Sequence, residues 1–147
     1  MSREMLLISV LQDLRLSFNL LKSRADHLHE DLGVNASMRA VMEVLSDADD
    51  ITVPEIARQR GVSRQHIQVI VNGLVGRGWV DTMPSPSDRR TYLVSLSKAG
   101  HALFREIANR EKAELIRLVD RLPEQDLKAA SRFLKVLNES VRQSELV

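Results

Sequence analysis

Four side chains near the middle of the chain, Arg64, Gln65, His66 and Gln68, are hydrogen-bonding groups of the kind that reach nucleobase edges. Arginine matches the two acceptors of guanine, and glutamine matches the acceptor–donor pair of adenine. At helical spacing Arg64, Gln65, Gln68 and Asn72 share a polar side, opposite the apolar positions Ile67, Ile70, Val71 and Leu74. Ser63 stands just before them as an N-cap. Val69 interrupts the polar side, and two readings stand for it: a methyl contact with thymine, or packing. A second basic group follows in Pro84-Ser85-Pro86-Ser87-Asp88-Arg89-Arg90, a loop without a hydrophobic side chain. Paired arginines at an exposed tip suit the negative potential of a narrow minor groove.

Other chemistry finds little support. No zincin motif, phosphate loop, nucleophile elbow or dinucleotide fingerprint occurs, so the chain reads as a non-enzyme without a cofactor. Asp49 and Asp50 pair two carboxylates in a turn with no pocket implied. The histidines, His27, His29, His66 and His101, read as ordinary surface residues. His27 and His29 do not share a helix face, and His27 with Asp31 supplies only two ligands, so no metal site is expected. The absence of cysteine removes disulfides, thiolate sites and thiol-oxidation sensing.

These side chains need a scaffold, and the pattern supplies one. Leu7, Val10, Leu11, Leu14, Phe18, Leu21, Ala25 and Leu28 recur at helical spacing, predicting one long helix from Arg3 to about Asp31, ended by Gly33. Asn35 caps a second helix, Ala36 to about Ser46. Thr52-Val53-Pro54-Glu55 is a capping box with proline in the first turn, opening a short helix that Gly61 closes. Ser63 caps the helix Arg64 to Arg77, and Gly78 stops it. Trp79 to Met83 and Thr91 to Leu96 alternate as two strands around the basic loop. Ser97 caps a long helix to about Arg121, Pro123 breaks the chain, and a last helix runs from about Glu124 to Arg142. Helix, glycine turn, helix and ribbon, in that order, make a winged helix-turn-helix.

With 147 residues, one domain is expected, burying roughly 68–70% of its unfolded surface. The formal charge is only +1. Yet Asn35 to Glu55 is acidic, whereas Ile56 to Tyr92 holds Arg58, Arg60, Arg64, Arg77, Arg89 and Arg90 against Asp81 and Asp88. Such a local basic block has two readings, an electrostatic footprint for a polyanion or a solvated surface with ordinary arginine scatter. The opening MSREMLLISVLQDLRLSF meets charge too soon for a signal peptide or membrane span, so a cytoplasmic protein with no membrane partner is expected.

Over most of its length, from the first long helix to the last and most sharply from Ile51 to Leu103, the chain resembles the MarR family of bacterial transcriptional regulators, named for multiple antibiotic resistance. Arg77-Gly78-Trp79-Val80, Asp88-Arg89-Arg90 and Leu93-Val94-Ser95-Leu96-Ser97-Lys98-Ala99-Gly100 stand in the family's order. The resemblance implies a mainly α fold with a small β-hairpin wing. The chain then forms a single domain, 1–147, with the winged helix-turn-helix lobe at 35–96 and dimerisation helices at 1–34 and 97–147. It further implies a homodimeric repressor on a pseudo-palindromic double-stranded DNA operator. Ser63, Arg64, Gln65, His66, Gln68, Val69 and Asn72 would face DNA, with Ser63 and Asn72 near phosphates and Asp88, Arg89 and Arg90 in the wing. Asp88 has two readings, an ion pair orienting an arginine of the wing or Arg77, or charge balance at a turn. The family also implies a small aromatic or anionic effector, for which Phe18, His27, Met38, Arg39 and Met42 are candidates. The departures are Val69, where the family often has a basic or polar residue, and Gly73 and Gly76 within one helix, each disfavouring it by about 1 kcal/mol relative to alanine. A protein-interaction module and a pure activator are the rival readings.

Overall fold

The computed structural model describes residues 1–48 and 50–144. Asp49, half of the carboxylate pair, and residues 145–147 lie outside it. Six helices and three short strands are described, in the order α1 (Arg3–Leu28), α2 (Ala36–Asp47), β1 (Ile51–Thr52), α3 (Val53–Arg60), α4 (Arg64–Gly76), β2 (Val80–Pro84), β3 (Tyr92–Leu96), α5 (Lys98–Val119) and α6 (Glu124–Gln143). Two compact units divide the chain, Met1–Ala108 and Asn109–Val147, with the boundary inside α5.

The helix ends follow the side chains that precede them. The Asn35 side chain accepts from the Met38 N–H at 2.8 Å, and Ser63 accepts from the His66 N–H at 3.1 Å. Thr52 and Glu55 form the reciprocal box, Thr52 Oγ1 accepting from the Glu55 N–H at 3.3 Å and Glu55 Oε2 from the Thr52 N–H at 3.5 Å. Gly61 closes α3 at φ 67°, a left-handed conformation that a Cβ disfavours. A single 3₁₀ turn, Glu30–Leu32, lies between α1 and Gly33. The Asp26 carboxylate of α1 reaches across that turn to accept from the first N–H of α2, Ala36, at 2.5 Å.

The core of the first unit gathers one apolar face from each element. Val41, Met42 and Leu45 of α2 meet Ile56 and Ala57 of α3, Ile67, Val71 and Leu74 of α4, the sheet residues Ile51, Val80, Val94 and Leu96, and Ile107 of α5. The strands are antiparallel in the order β1-β3-β2. The hairpin register sets Val80 opposite Leu96 and Pro84 opposite Tyr92. Strand β1 is an addition to the expected elements: only two residues long, it pairs Ile51 with Val94 and Thr52 with Leu93. The expected hairpin is otherwise present, each strand starting one residue later than its pattern suggested.

Gly100 is where this fold most needs a missing side chain. A Cβ there would overlap the carbonyl oxygen of Trp79. Ser97 supports the same junction: its hydroxyl donates to the Gly78 carbonyl at 2.6 Å and accepts from the Gly100 N–H at 3.0 Å. The wing's base is thereby tied to the first turn of α5. Among the described residues, Gly73 and Gly76 face open space.

Among the described residues no helix is long and apolar enough to cross a membrane. Helix α1 has no buried residue. In the second unit, Leu127, Leu134 and Val141 are exposed on α6 at seven-residue spacing.

Candidate nucleic-acid interface

Helix α4 is anchored on one side and bare on the other. Ile67, Val71 and Leu74 are buried, while Arg64, Gln65, His66, Gln68, Val69 and Asn72 are exposed. Ile70, expected to be buried, is half-exposed at the edge of the stripe. Val69 is 71% exposed, which removes packing as its explanation. Gln65, Gln68, Val69 and Asn72 recur at i, i+3, i+4 and i+7, so they form one outward face. Gln68 and Asn72 are joined on it, Gln68 Nε2 donating to Asn72 Oδ1 at 2.8 Å. The Ser63 oxygen caps the helix, yet its O–H remains available to a phosphate. Arg64 sits in the first turn, where the helix also presents its unpaired N–H groups.

The wing rises directly from the end of that helix. Gly78 takes φ 75° and turns the chain into β2. Arg77 lies over the Trp79 ring, its guanidinium carbon 5.1 Å from the ring centroid, a cation–π contact at the wing's base. A Cβ added at Gly33 would come 2.6 Å from Arg77 Nη1. The sequence reading missed this arginine's position; its signal was an arginine two residues before the only tryptophan.

At the tip, Asp88 holds the loop rather than a guanidinium. Its Oδ1 accepts from the Arg90 N–H at 3.0 Å and its Oδ2 from the Thr91 hydroxyl at 3.3 Å. The Thr91 N–H bonds the Asp88 carbonyl at 3.0 Å, and the Ser85 N–H bonds the Thr91 carbonyl at 2.7 Å. The ion pair from Asp88 to Arg77 or a wing arginine gives way to this turn geometry, because a short carboxylate reaches its own downstream N–H more readily than a long side chain. Ser85 is buried against the strands, its hydroxyl 3.0 Å from that of Ser87. Arg89 and Arg90 are exposed on this braced turn.

The effector candidates separate into different environments. Met42 is 0% exposed and belongs to the core, so it lines no open pocket. Met38 packs against that core. Arg39 is half-buried and pairs with Glu43 at 2.6 Å, whereas Phe18 and His27 are exposed on α1. A cavity of about 210 Å³ lies elsewhere, between α3, α4 and the sheet, bordered by Val53, Gln68, Val71, Asn72, Val75, Thr82, Tyr92 and Val94. None of the five candidates borders it. His29, expected on the surface, is 0% exposed at the end of α1. It follows the apolar stripe of α1 by one residue, and the 3₁₀ turn folds it inward.

Comparison with known proteins places this arrangement. A family model described as MarR family matches residues 32–91. Over 95 residues the chain is 32% identical to an uncharacterized protein of Mycobacterium tuberculosis strain H37Rv, covering 65% of this chain and 66% of that relative. The match thus spans just under two thirds of the relative's length. Among solved structures, a MarR transcriptional regulator from Methanosarcina mazei Go1 superposes with a TM-score of 0.81 at 15% identity, covering 91% of this chain and 96% of that one. A mutant MarR from E. coli, complexed with operator DNA, gives 0.76 at 25% identity, covering 88% of this chain and 94% of that one.

Proposed function

Because this chain belongs to the MarR family, we propose that it is a sequence-specific double-stranded DNA-binding transcriptional regulator, a repressor acting as a homodimer on a pseudo-palindromic operator. The observation that carries this reading is the bare outward face of α4, followed without interruption by a braced wing bearing Arg89 and Arg90. The similar E. coli protein in complex with operator DNA supports it. In this reading residues 35–96 form the DNA-binding lobe, and 1–34 with 97–147 supply the dimer helices. The support is apolar surface that this chain alone leaves uncovered: Leu7, Val10, Phe18 and Leu21 on α1, and Leu127, Leu134 and Val141 on α6.

Arg64, Gln65, His66, Gln68 and Val69 then enter the major groove, and Ser63 meets a phosphate. Arg89 and Arg90 meet the minor groove or its phosphates, on a turn whose shape Asp88 maintains. A two-fold dimer requires its two α4 helices about 34–36 Å apart, one turn of B-DNA. Release by a small aromatic or anionic effector, and residence in the cytoplasm with the DNA, complete the proposal.

A gel shift with random-sequence duplex, at low salt and again at higher salt, tests the central claim. Binding that weakens steeply as salt rises is the expected result, since phosphate contacts release counterions. Absence of binding at every salt concentration sinks it and favours a protein-interaction module. A reporter placed behind a bound sequence separates repression from activation by the sign of its response.

A further inference from the structure

We infer that each operator half-site holds an A·T base pair read by Gln68 and Val69, with Asn72 as the positioning residue that presets the Gln68 amide. This rests on the DNA-binding reading above and specifies what that interface recognises.

The outward face formed by Gln65, Gln68, Val69 and Asn72 carries three amides and one aliphatic side chain. Gln68 spends one Nε2 hydrogen on Asn72 Oδ1 at 2.8 Å. When Asn72 takes the hydrogen anti to Oε1, the syn hydrogen and the carbonyl form a fork with one donor and one acceptor. Adenine offers the complement in the major groove, the N6–H donor beside the N7 acceptor. Guanine offers two acceptors there, N7 and O6, and the Gln68 oxygen would meet one of them whichever way the amide is turned.

Val69, one residue on and 71% exposed, is an apolar group with nothing of this chain to pack on. Thymine alone among the bases presents a methyl group in the major groove. An amide and an aliphatic group side by side therefore fit the two partners of one A·T pair, or of adjacent A·T pairs.

The Asn72 bond gives this preference its sharpness. A glutamine at an exposed helical position otherwise samples many rotamers, and ordering it on binding opposes affinity. A helical (i, i+4) hydrogen bond biases the fork toward this orientation before DNA arrives. Asn72 is thus assigned to orienting Gln68, and not to the phosphate backbone.

Selection of bound duplexes from a random pool by the full-length chain tests this directly. The expected consensus fixes an A·T pair at the same position in each half-site. Gln68→Ala should then reduce discrimination against G·C at that position by roughly 5- to 150-fold. Asn72→Ala should lower the same ratio by a smaller factor. If Asn72 instead contacts phosphate, its loss weakens all sequences uniformly and the ratio stays put, which overturns the positioning role. A fixed G·C pair there, or an unaltered base preference in Gln68→Ala, overturns the A·T assignment while leaving DNA binding intact. Failure of the chain to retain any duplex overturns the underlying function instead. Both positions are exposed, and circular dichroism of each variant checks that α4 remains folded.

Discussion

At the scale of single residues, the structure sorts side chains that share a type but not a task. Three glycines illustrate it. Gly73→Ala should stabilise the chain by about 1 kcal/mol, since α4 leaves open space there and alanine favours the helix. Gly100→Ala should destabilise it by roughly 1–3 kcal/mol, because the new methyl meets the Trp79 carbonyl and the wing's base must move. Urea unfolding of the two variants, read by circular dichroism, checks both signs. Gly76 resembles Gly73, with nothing near its missing Cβ. Arg89 and Arg90 are both exposed on the wing. Arg90→Ala should weaken DNA binding and lower the slope of log K against log salt by about one unit. An unchanged affinity and slope in a salt titration would remove Arg90 from the interface.

At the scale of elements, capping chemistry and hairpin register decide how the interface is presented. The reciprocal box at Thr52 and Glu55 fixes the start of α3, and Thr52 is also the last residue of β1. Thr52→Ala should therefore destabilise the first unit by about 1 kcal/mol, measured by the shift in the midpoint of chemical unfolding. A shift indistinguishable from zero would mean that solvent satisfies the first turn of α3 as well as threonine does. The wing depends on local bonds in the same manner. Asp88 accepts from the Arg90 N–H and the Thr91 hydroxyl, so its removal loosens the segment that carries both arginines. The helix boundaries were legible because caps are local: Asn35, Thr52, Gly61 and Ser63 each act on residues within about one turn. Strand β1 was not legible, because two residues carry no periodicity and pair only with a partner about forty positions away.

At the scale of the whole molecule, the long helices carry apolar surface that the chain alone does not bury. Helix α1 buries none of its residues within the chain, and α6 leaves Leu127, Leu134 and Val141 exposed. Uncovered apolar surface of this kind is what the proposed dimer would bury. Leu134→Glu should convert the proposed dimer into a monomer at micromolar concentration, read by light scattering on a size-exclusion column. A variant that elutes unchanged, with the wild-type chain at twice the monomer mass, would place the dimer contact elsewhere. A thermal-shift screen with small aromatic acids would locate an effector, since binding to the folded state alone raises the melting temperature.

The sequence by itself determined the order of the helices, their caps, the hairpin and the polar side of α4. Each of these follows from residues close together in the chain, through helical or strand periodicity and local hydrogen bonds. Tertiary structure alone decided the rest. It placed Met42 and His29 inside, left Val69 bare, spent Asp88 on its own turn and stacked Arg77 on Trp79. The physical reason is that burial and side-chain pairing depend on what distant elements bring to the same place, and spacing along the chain does not specify that.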